Sequence, residues 1–204
     1  MRIICRIASD AYPGRRTFVL SGFKNVRTLT LAALITAIGI ITTSLKIPIS
    51  TILEIRISSL PLAVAGYLFG PGIAAVIGII SDIGGFLIWP TGPYFPGFTF
   101  SAAISGIIFG TLLHKKDGSF PGISRVILAV VINTVLVNLL LHSLWLTLLY
   151  GKGGFVAVMS ARLIKELVMI PIYIILIIAV IKPLEALLKR HPITDNREEV
   201  TKEA

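Results

Sequence analysis

Six apolar stretches divide the chain, and polar or glycine- and proline-rich segments separate them. The stretches cover residues 29–45, 60–69, 73–89, 98–113, 126–150 and 155–181. A run of about 20 apolar residues crosses a bilayer as a helix. The pattern therefore predicts an all-α integral membrane protein with six transmembrane helices. As a helix, the second stretch covers only about 15 Å, so we expect neighbouring residues to extend it or other helices to shield it.

Two of the intervening segments have unusual sequences. Residues 47–61, "IPISTILEIRISSLP", alternate loosely and are rich in Ile, Ser and Thr, which predicts an extended outer loop between helices 1 and 2 that presents Arg56. The segment "GPYFPGFT" combines prolines, glycines and aromatic rings before the fourth stretch. We expect it to hold Tyr94 and Phe98 in a fixed arrangement.

Composition supports the membrane assignment. Hydrophobic residues make up 55% of the 204 residues and charged residues 14%, with a net charge of +9, whereas soluble domains are about one quarter charged. The positive charge is distributed as membrane topology requires, so it does not indicate nucleic-acid binding. The one cysteine excludes an internal disulfide and a multi-cysteine metal site.

The basic residues predict the orientation. Of the 19 Lys and Arg residues, all but five precede the first stretch, lie between the fourth and fifth, or follow the sixth. The positive-inside rule makes that side cytoplasmic, together with both termini. We therefore predict a basic cytoplasmic segment at 1–23, a six-helix transmembrane domain at 24–189 and a polar cytoplasmic tail at 190–204. The five exceptions are Lys46, Arg56, Lys152, Arg162 and Lys165.

Polar residues in the last two stretches indicate a binding site. Arg162 and Lys165 lie three positions apart, about 11 and 15 Å below the predicted outer surface. Asn138, His142 and Trp145 follow i, i+4, i+7 spacing, which predicts one helical face at similar depth. Ionisable groups are costly inside a membrane and are therefore candidates for function. Together these residues predict a cavity that opens outward.

Each of these residues also has a structural interpretation. Arg162 and Glu166 are four apart and could neutralise each other. His142 could be a hydrogen bond between helices, and Trp145 could be an interfacial anchor. Asp82 could carry a proton or pair with a cation or a backbone amide. Arg56 could be a solvated loop residue.

No enzyme motif is present. The sequence has no P-loop, GxSxG or HExxH, and its three histidines cannot meet as metal ligands. We expect no catalytic residues, no metal and no cofactor. A solute carrier without its own ATPase needs an ion gradient or a partner. Ala33 and Ala37 form a small-xxx-small pair that lets another helix pack closely.

Four segments resemble the substrate-binding S components of energy-coupling factor (ECF) vitamin transporters, specifically the folate type. They read "RISSLPLAVAGYLFGPG", "SDIGGFLIWPTGPYFPGFTFSAAISGIIFG", "WLTLLYGKG" and "ARLIKELVMIP". The resemblance spans about residues 24–189 and implies a six-helix fold in the bacterial cell membrane. It also implies a transmembrane T protein and two cytoplasmic ATPases as partners, with Ala33 and Ala37 contacting the T protein.

The resemblance implies capture of folate from outside the cell and its release inward when the ATPases hydrolyse ATP. The residues fit such a ligand. Rings from Tyr94, Phe98 and Trp145 suit the flat pterin, and Asn138 and His142 suit its polar edge. Cations suit the anionic glutamate, and those expected to bind it are Arg56, Arg162 and Lys165.

Three alternatives remain. The chain could be an S component for another water-soluble vitamin. It could be an autonomous ion-coupled carrier with Asp82 or Glu166 as its proton site, although no internal repeat of the paired-half kind is evident. It could also be a membrane assembly protein that binds helices through its small-residue faces, which would leave the polar rows unexplained.

Overall fold

The computed structural model describes residues 26–44, 46–48, 54–56, 58–90, 92–115, 120–150 and 155–190. The predicted N-terminal segment 1–23 and tail residues 191–204 lie outside them. Helix α1 is Val26–Ser44, followed by strands β1 (Lys46–Pro48) and β2 (Glu54–Arg56). Helices α2 (Ser59–Ile88) and α3 (Pro96–Leu113) come next. Helix α4 (Ile123–Asn133), a π-helical stretch (Thr134–Leu141) and α5 (His142–Tyr150) are continuous, and α6 is Phe155–Arg190.

The segment between α1 and α2 is extended, as its sequence predicts. Strands β1 and β2 pair antiparallel, with Lys46 opposite Arg56 and Pro48 opposite Glu54. The pairing makes a short hairpin that leads directly into α2. The expected extended loop is therefore present.

Helix α2 folds back on itself at Gly70. Gly70 has φ 77° and ψ −174°, a conformation that glycine adopts readily and that side chains oppose. Pro71 follows and lacks the N–H that would continue the ladder. A Cβ on Gly78 would lie 3.3 Å from Leu62 Cδ1, although sixteen residues of straight helix would separate them by about 24 Å. Residues 59–69 (arm 1) and 71–88 (arm 2) are therefore antiparallel neighbours, which explains why the second apolar stretch is so short.

Small residues let α3 pack against both arms. A Cβ on Gly106 would lie 2.5 Å from the carbonyl oxygen of Ala74 in arm 2. A Cβ on Gly66 of arm 1 would lie 2.7 Å from the backbone nitrogen of Gly110. Backbones can approach this closely only where side chains are absent. This glycine seam fixes α3, and with it the start of the helix at Pro96, relative to α2.

Polarity is arranged for a bilayer. Among the described residues, four helices are long and apolar enough by length and composition to span a membrane: Ser59–Ile88, whose length is divided between arms 1 and 2, Pro96–Leu113, Ile123–Leu149 and Val158–Ala186. Thr28–Thr43 is a shorter apolar helix. Large aliphatic side chains face outward, such as Leu87 at 75% exposure and Ile164 at 73%, while Arg162 and Glu166 are buried. A water-soluble protein rarely exposes so much apolar surface, so this is an all-helical membrane domain with one short hairpin.

Candidate functional site

A cavity of about 80 Å³ lies between α1, both arms of α2, α3, the π-helical stretch and α6. Five of the residues predicted from the sequence line it: Phe98, Asn138, His142, Arg162 and Lys165. The predicted residues Tyr94 and Trp145 are not among its lining residues. Trp145 hydrogen-bonds a lining residue, Ser101, and Tyr94 contacts Thr99, which hydrogen-bonds the lining residue Asp82. The walls thus combine cations, an amide, an imidazole and an aromatic ring.

Glu166 organises the charged wall of the cavity. Its Oε1 lies 3.1 Å from Lys165 Nζ and 4.0 Å from an Arg162 guanidinium nitrogen. Its Oε2 accepts a 3.3 Å hydrogen bond from Asn138 Nδ2. Glu166 is 4% exposed and Arg162 8%, so these charges interact in a medium that screens them poorly. Two cations share one carboxylate, which leaves this cluster with a net charge of +1.

The π-helical stretch changes how residues 138–145 are presented. Buried positions recur at α-helical spacing through Asn133, Thr134 and Val137, but the next buried residue is Ser143. Hydrogen bonds in a π-helix run from i to i+5, so each turn takes in about one residue more than in an α-helix. The assumption of a regular α-helix over 138–145 was wrong. Asn138 and His142 line the cavity, whereas Trp145 is directed to α3.

Aromatic rings at the start of α3 cover one side of the cavity. Phe95 lies 5.5 Å from Trp145 and 6.1 Å from Phe98, and Phe98 lies 5.5 Å from His142, measured between ring centroids. Such tilted and edge-on pairs are favourable arrangements of aromatic quadrupoles. Trp145 Nε1 also donates a 2.9 Å hydrogen bond to Ser101 Oγ. A Cβ on Gly97 would collide with the Phe95 and Trp145 rings, so the glycine makes this stack possible.

Tyr94 and Asp82 form a separate hydrogen-bonded row. Thr99 Oγ1 donates to Asp82 Oδ2 at 2.8 Å, and the Tyr94 hydroxyl lies 2.9 Å from Thr99 Oγ1. The Tyr94 ring packs on Phe86 at 5.2 Å. Asp82 lines the cavity on the arm 2 side. The predicted stacking ring Tyr94 is therefore linked to the cavity through a carboxylate.

The remaining predicted residues lie away from the cavity or outside the described side chains. Arg56 is in β2, directly before α2, and its side chain lies outside the described part. Ala33 and Ala37 are exposed on α1 beside Leu34 and Ile38, which are also exposed. That surface is apolar and carries small residues, as a helix-packing face requires.

Sequence reasoning missed the contacts of Thr99 and Ser101. Their contacts cross from α3 to arm 2 and to α5, and no spacing within one helix reveals a partner on another. One signal was available: Thr99 stands in the same proline-rich segment as Tyr94 and Phe98.

Known proteins provide an independent comparison. A family model described as "ECF transporter, substrate-specific component" matches residues 27–181. The folate transporter FolT of Clostridium novyi (strain NT) is 44% identical over 126 residues, which cover 62% of this chain and 71% of that protein. FolT of Leuconostoc mesenteroides subsp. mesenteroides is 29% identical over 154 residues, covering 74% and 82%.

A solved structure agrees with these relatives. A crystal structure of FolT bound with folic acid matches with a TM-score of 0.69 at 31% identity, covering 78% of this chain and 95% of that one. The match covers nearly all of that protein, and the matched family model spans every residue that lines the cavity. This chain belongs to the family of substrate-specific components of ECF transporters.

Proposed function

We propose that this chain is the folate-binding S component of an ECF-type ABC vitamin uptake transporter. It captures folate from outside in the cavity between α1, both arms of α2, α3, the π-helical stretch and α6. It releases folate inward when partner ATPases hydrolyse ATP. The observation that carries the proposal is the cavity itself, which combines two cations with a ring and an imidazole, in a fold similar to FolT bound with folic acid.

Charge supports an anionic ligand. The cluster of Arg162, Lys165 and Glu166 has a net charge of +1, whereas the glutamate of folate carries two carboxylates. Arg162 is suited to grip one carboxylate through two nitrogens. In the proposal Arg56, on the hairpin that leads into α2, supplies a further cation for the second carboxylate when the hairpin covers the cavity.

The ring contacts support a flat aromatic ligand. Phe98 lines the cavity beside His142, and Phe95 and Trp145 brace it from behind. In the proposal Phe98 stacks on the aromatic part of folate, while Trp145 positions α3 through Ser101. Sites for small molecules are commonly lined in this way, with few polar groups for orientation.

The topology we propose has six spans, with arms 1 and 2 each counted as one. Both termini are then cytoplasmic in a multi-pass protein of the bacterial cell membrane. In this topology the chain reverses on the inner side at Gly70 and between the end of α3 at Leu113 and the start of α4 at Ile123. There Lys115 Nζ donates to the Phe120 carbonyl and the Phe120 N–H donates to Glu185. This assignment keeps Lys115 and Arg125 inside, as the positive-inside rule favours.

The proposed partners are a T transmembrane protein and two cytoplasmic ATPases. Family membership supports them, and the exposed Ala33 and Ala37 on α1 supply a face for close helix contact. An ion-coupled carrier that uses Glu166 as its proton site is disfavoured, because Glu166 is already bound by two cations and an amide.

The test is folate binding to detergent-purified protein, by calorimetry or tryptophan fluorescence, with riboflavin and thiamine as competitors. Folate should bind tightly and the other two vitamins should not displace it. Arg162→Ala and Arg56→Ala should each weaken folate binding. Binding of riboflavin or thiamine in place of folate would refute the assignment.

A further inference from the structure

Two carboxylates line the cavity within the described part of the chain, and they differ in their surroundings. Glu166 is held by Lys165, Arg162 and Asn138. Asp82 lies on arm 2, six residues before the helix ends at Ile88, which is about 9 Å of helix. A charged carboxylate within a spanning helix costs about 2.5–3.5 kcal/mol on insertion scales, so the position of Asp82 calls for a physical reason.

Hydroxyl groups hold only one oxygen of Asp82. Thr99 Oγ1 donates to Oδ2, and this uses the single proton of the threonine hydroxyl. The Tyr94 hydroxyl, 2.9 Å away, must therefore donate to Thr99. The resulting relay runs from Tyr94 through Thr99 to Asp82, and it fixes the orientation of the carboxylate.

The other oxygen is available to a ligand. Across residues 26–190, wherever the structure describes them, Asp82 makes no ion pair, and the bond from Thr99 is its one hydrogen bond. An ionised carboxylate only accepts hydrogen bonds, so a ligand group that binds the second oxygen of Asp82 must present N–H or O–H donors. A carboxylate accepts most strongly from two parallel N–H groups in one plane.

We propose that Asp82 binds the amidine-like edge of the pterin, that is, the exocyclic amino group and the adjacent ring N–H. This inference rests on the proposed folate-binding function and adds the direction of the ligand to it. The donor-rich head then lies against arm 2 and α3, and the anionic glutamate lies against Arg162 and Lys165 on α6. Opposite charges on separate walls of the cavity thus match the two different ends of folate.

The experiment compares two ligands on purified protein. Folate carries the pterin, and p-aminobenzoylglutamate lacks it but keeps the glutamate. Asp82→Asn, which preserves size and the acceptor for Thr99, should weaken folate binding about 10- to 100-fold, the range for loss of charge-assisted hydrogen bonds. It should leave p-aminobenzoylglutamate binding unchanged. Thr99→Val should weaken folate binding less, because the carboxylate itself remains.

The outcomes separate this inference from the proposed function. No folate binding by the wild-type protein would refute the function. Wild-type folate affinity in Asp82→Asn, or an equal loss for both ligands, would leave the function intact and overturn the pterin assignment. A 2-desamino analogue of folate tests the same bond in the wild-type protein should Asp82→Asn not fold. Binding of that analogue as tightly as folate would also overturn the assignment.

Discussion

Substituting alanine for Gly106 tests whether the glycine seam holds the cavity in shape. The new Cβ would lie 2.5 Å from the Ala74 carbonyl oxygen, 2.6 Å from the Ala74 carbonyl carbon and 2.7 Å from the Ala75 nitrogen. All three are backbone atoms of arm 2, so no side chain can rotate away. The two helices must separate instead.

The size of the effect follows from these distances. Non-bonded heavy atoms are most favourable about 3.5–4.0 Å apart, so α3 must move by about 1 Å. Added methyl groups in packed interiors cost about 1–3 kcal/mol. At about 2–4 °C per kcal/mol for a chain of this size, the melting temperature should fall by about 2–12 °C. The movement also separates Thr99 from Asp82, so folate affinity should fall as well.

The measurement is thermal unfolding of the purified protein in detergent, followed by folate binding. Gly84→Ala is the matched control, because its Cβ would meet the Ile40 side chain, with Cδ1 at 2.7 Å and Cγ1 at 2.9 Å, and that side chain can rotate whereas a backbone atom cannot. The control should unfold within about 1 °C of the wild-type protein. If Gly106→Ala melts at the same temperature as the control and binds folate with wild-type affinity, then the glycine seam does not fix the position of α3 against arm 2.

Three further predictions address the site and the partner face. Trp145→Phe should lower the melting temperature, because buried Ser101 loses its hydrogen-bond donor at a cost of about 1–3 kcal/mol. The control Trp89→Phe, at an exposed tryptophan, should leave the melting temperature unchanged. Equal effects of the two substitutions would contradict a stabilising role for the bond to Ser101. Glu166→Gln should destabilise the ligand-free protein, because Arg162 and Lys165 lose their shared carboxylate. Folate should nevertheless raise the melting temperature of this variant more than that of the wild-type protein. An equal rise would contradict the proposed binding of the folate glutamate by those two cations. Ala37→Trp should abolish uptake in cells that have the T protein and ATPases, while folate binding by the purified variant stays normal; retained uptake would remove α1 from the proposed interface.

Much of the fold is predictable because each apolar stretch has a length typical of a membrane helix or half of one, and polar, glycine or proline residues mark its ends. The helices begin and end within a few residues of the predicted stretches, except that α6 continues to Arg190. Gly70 and Pro71 predict a break between two apolar stretches, but they do not predict that the chain reverses direction there. That depends on Leu62 reaching Gly78, which is a contact between residues that no local rule relates.

The site was predictable in its residue types and less so in its connections. Arg162, Lys165 and Asn138 do line one cavity, because ionisable and amide groups in a spanning helix must face inward. That Lys165, the neighbour of Glu166 in sequence, is its closest cation was not expected, since adjacent residues on a helix usually diverge. Trp145 differs from them, because its indole N–H donates to Ser101 on α3 and the residue does not line the cavity.

The π-helical stretch Thr134–Leu141 bears on how sequences of this family are aligned. Because each of its turns holds about one residue more than an α-helical turn, losing a single residue there would restore a regular helix. Everything beyond the deletion would then keep its present direction, because the wide turns only accommodate the extra residue, so His142 and Trp145 would stay on their walls. Two relatives can thus present the same residues to a ligand although one chain is a residue shorter within this stretch. An alignment that forbids gaps inside helices would pair the wrong residues across the cavity while appearing well matched on both sides of it.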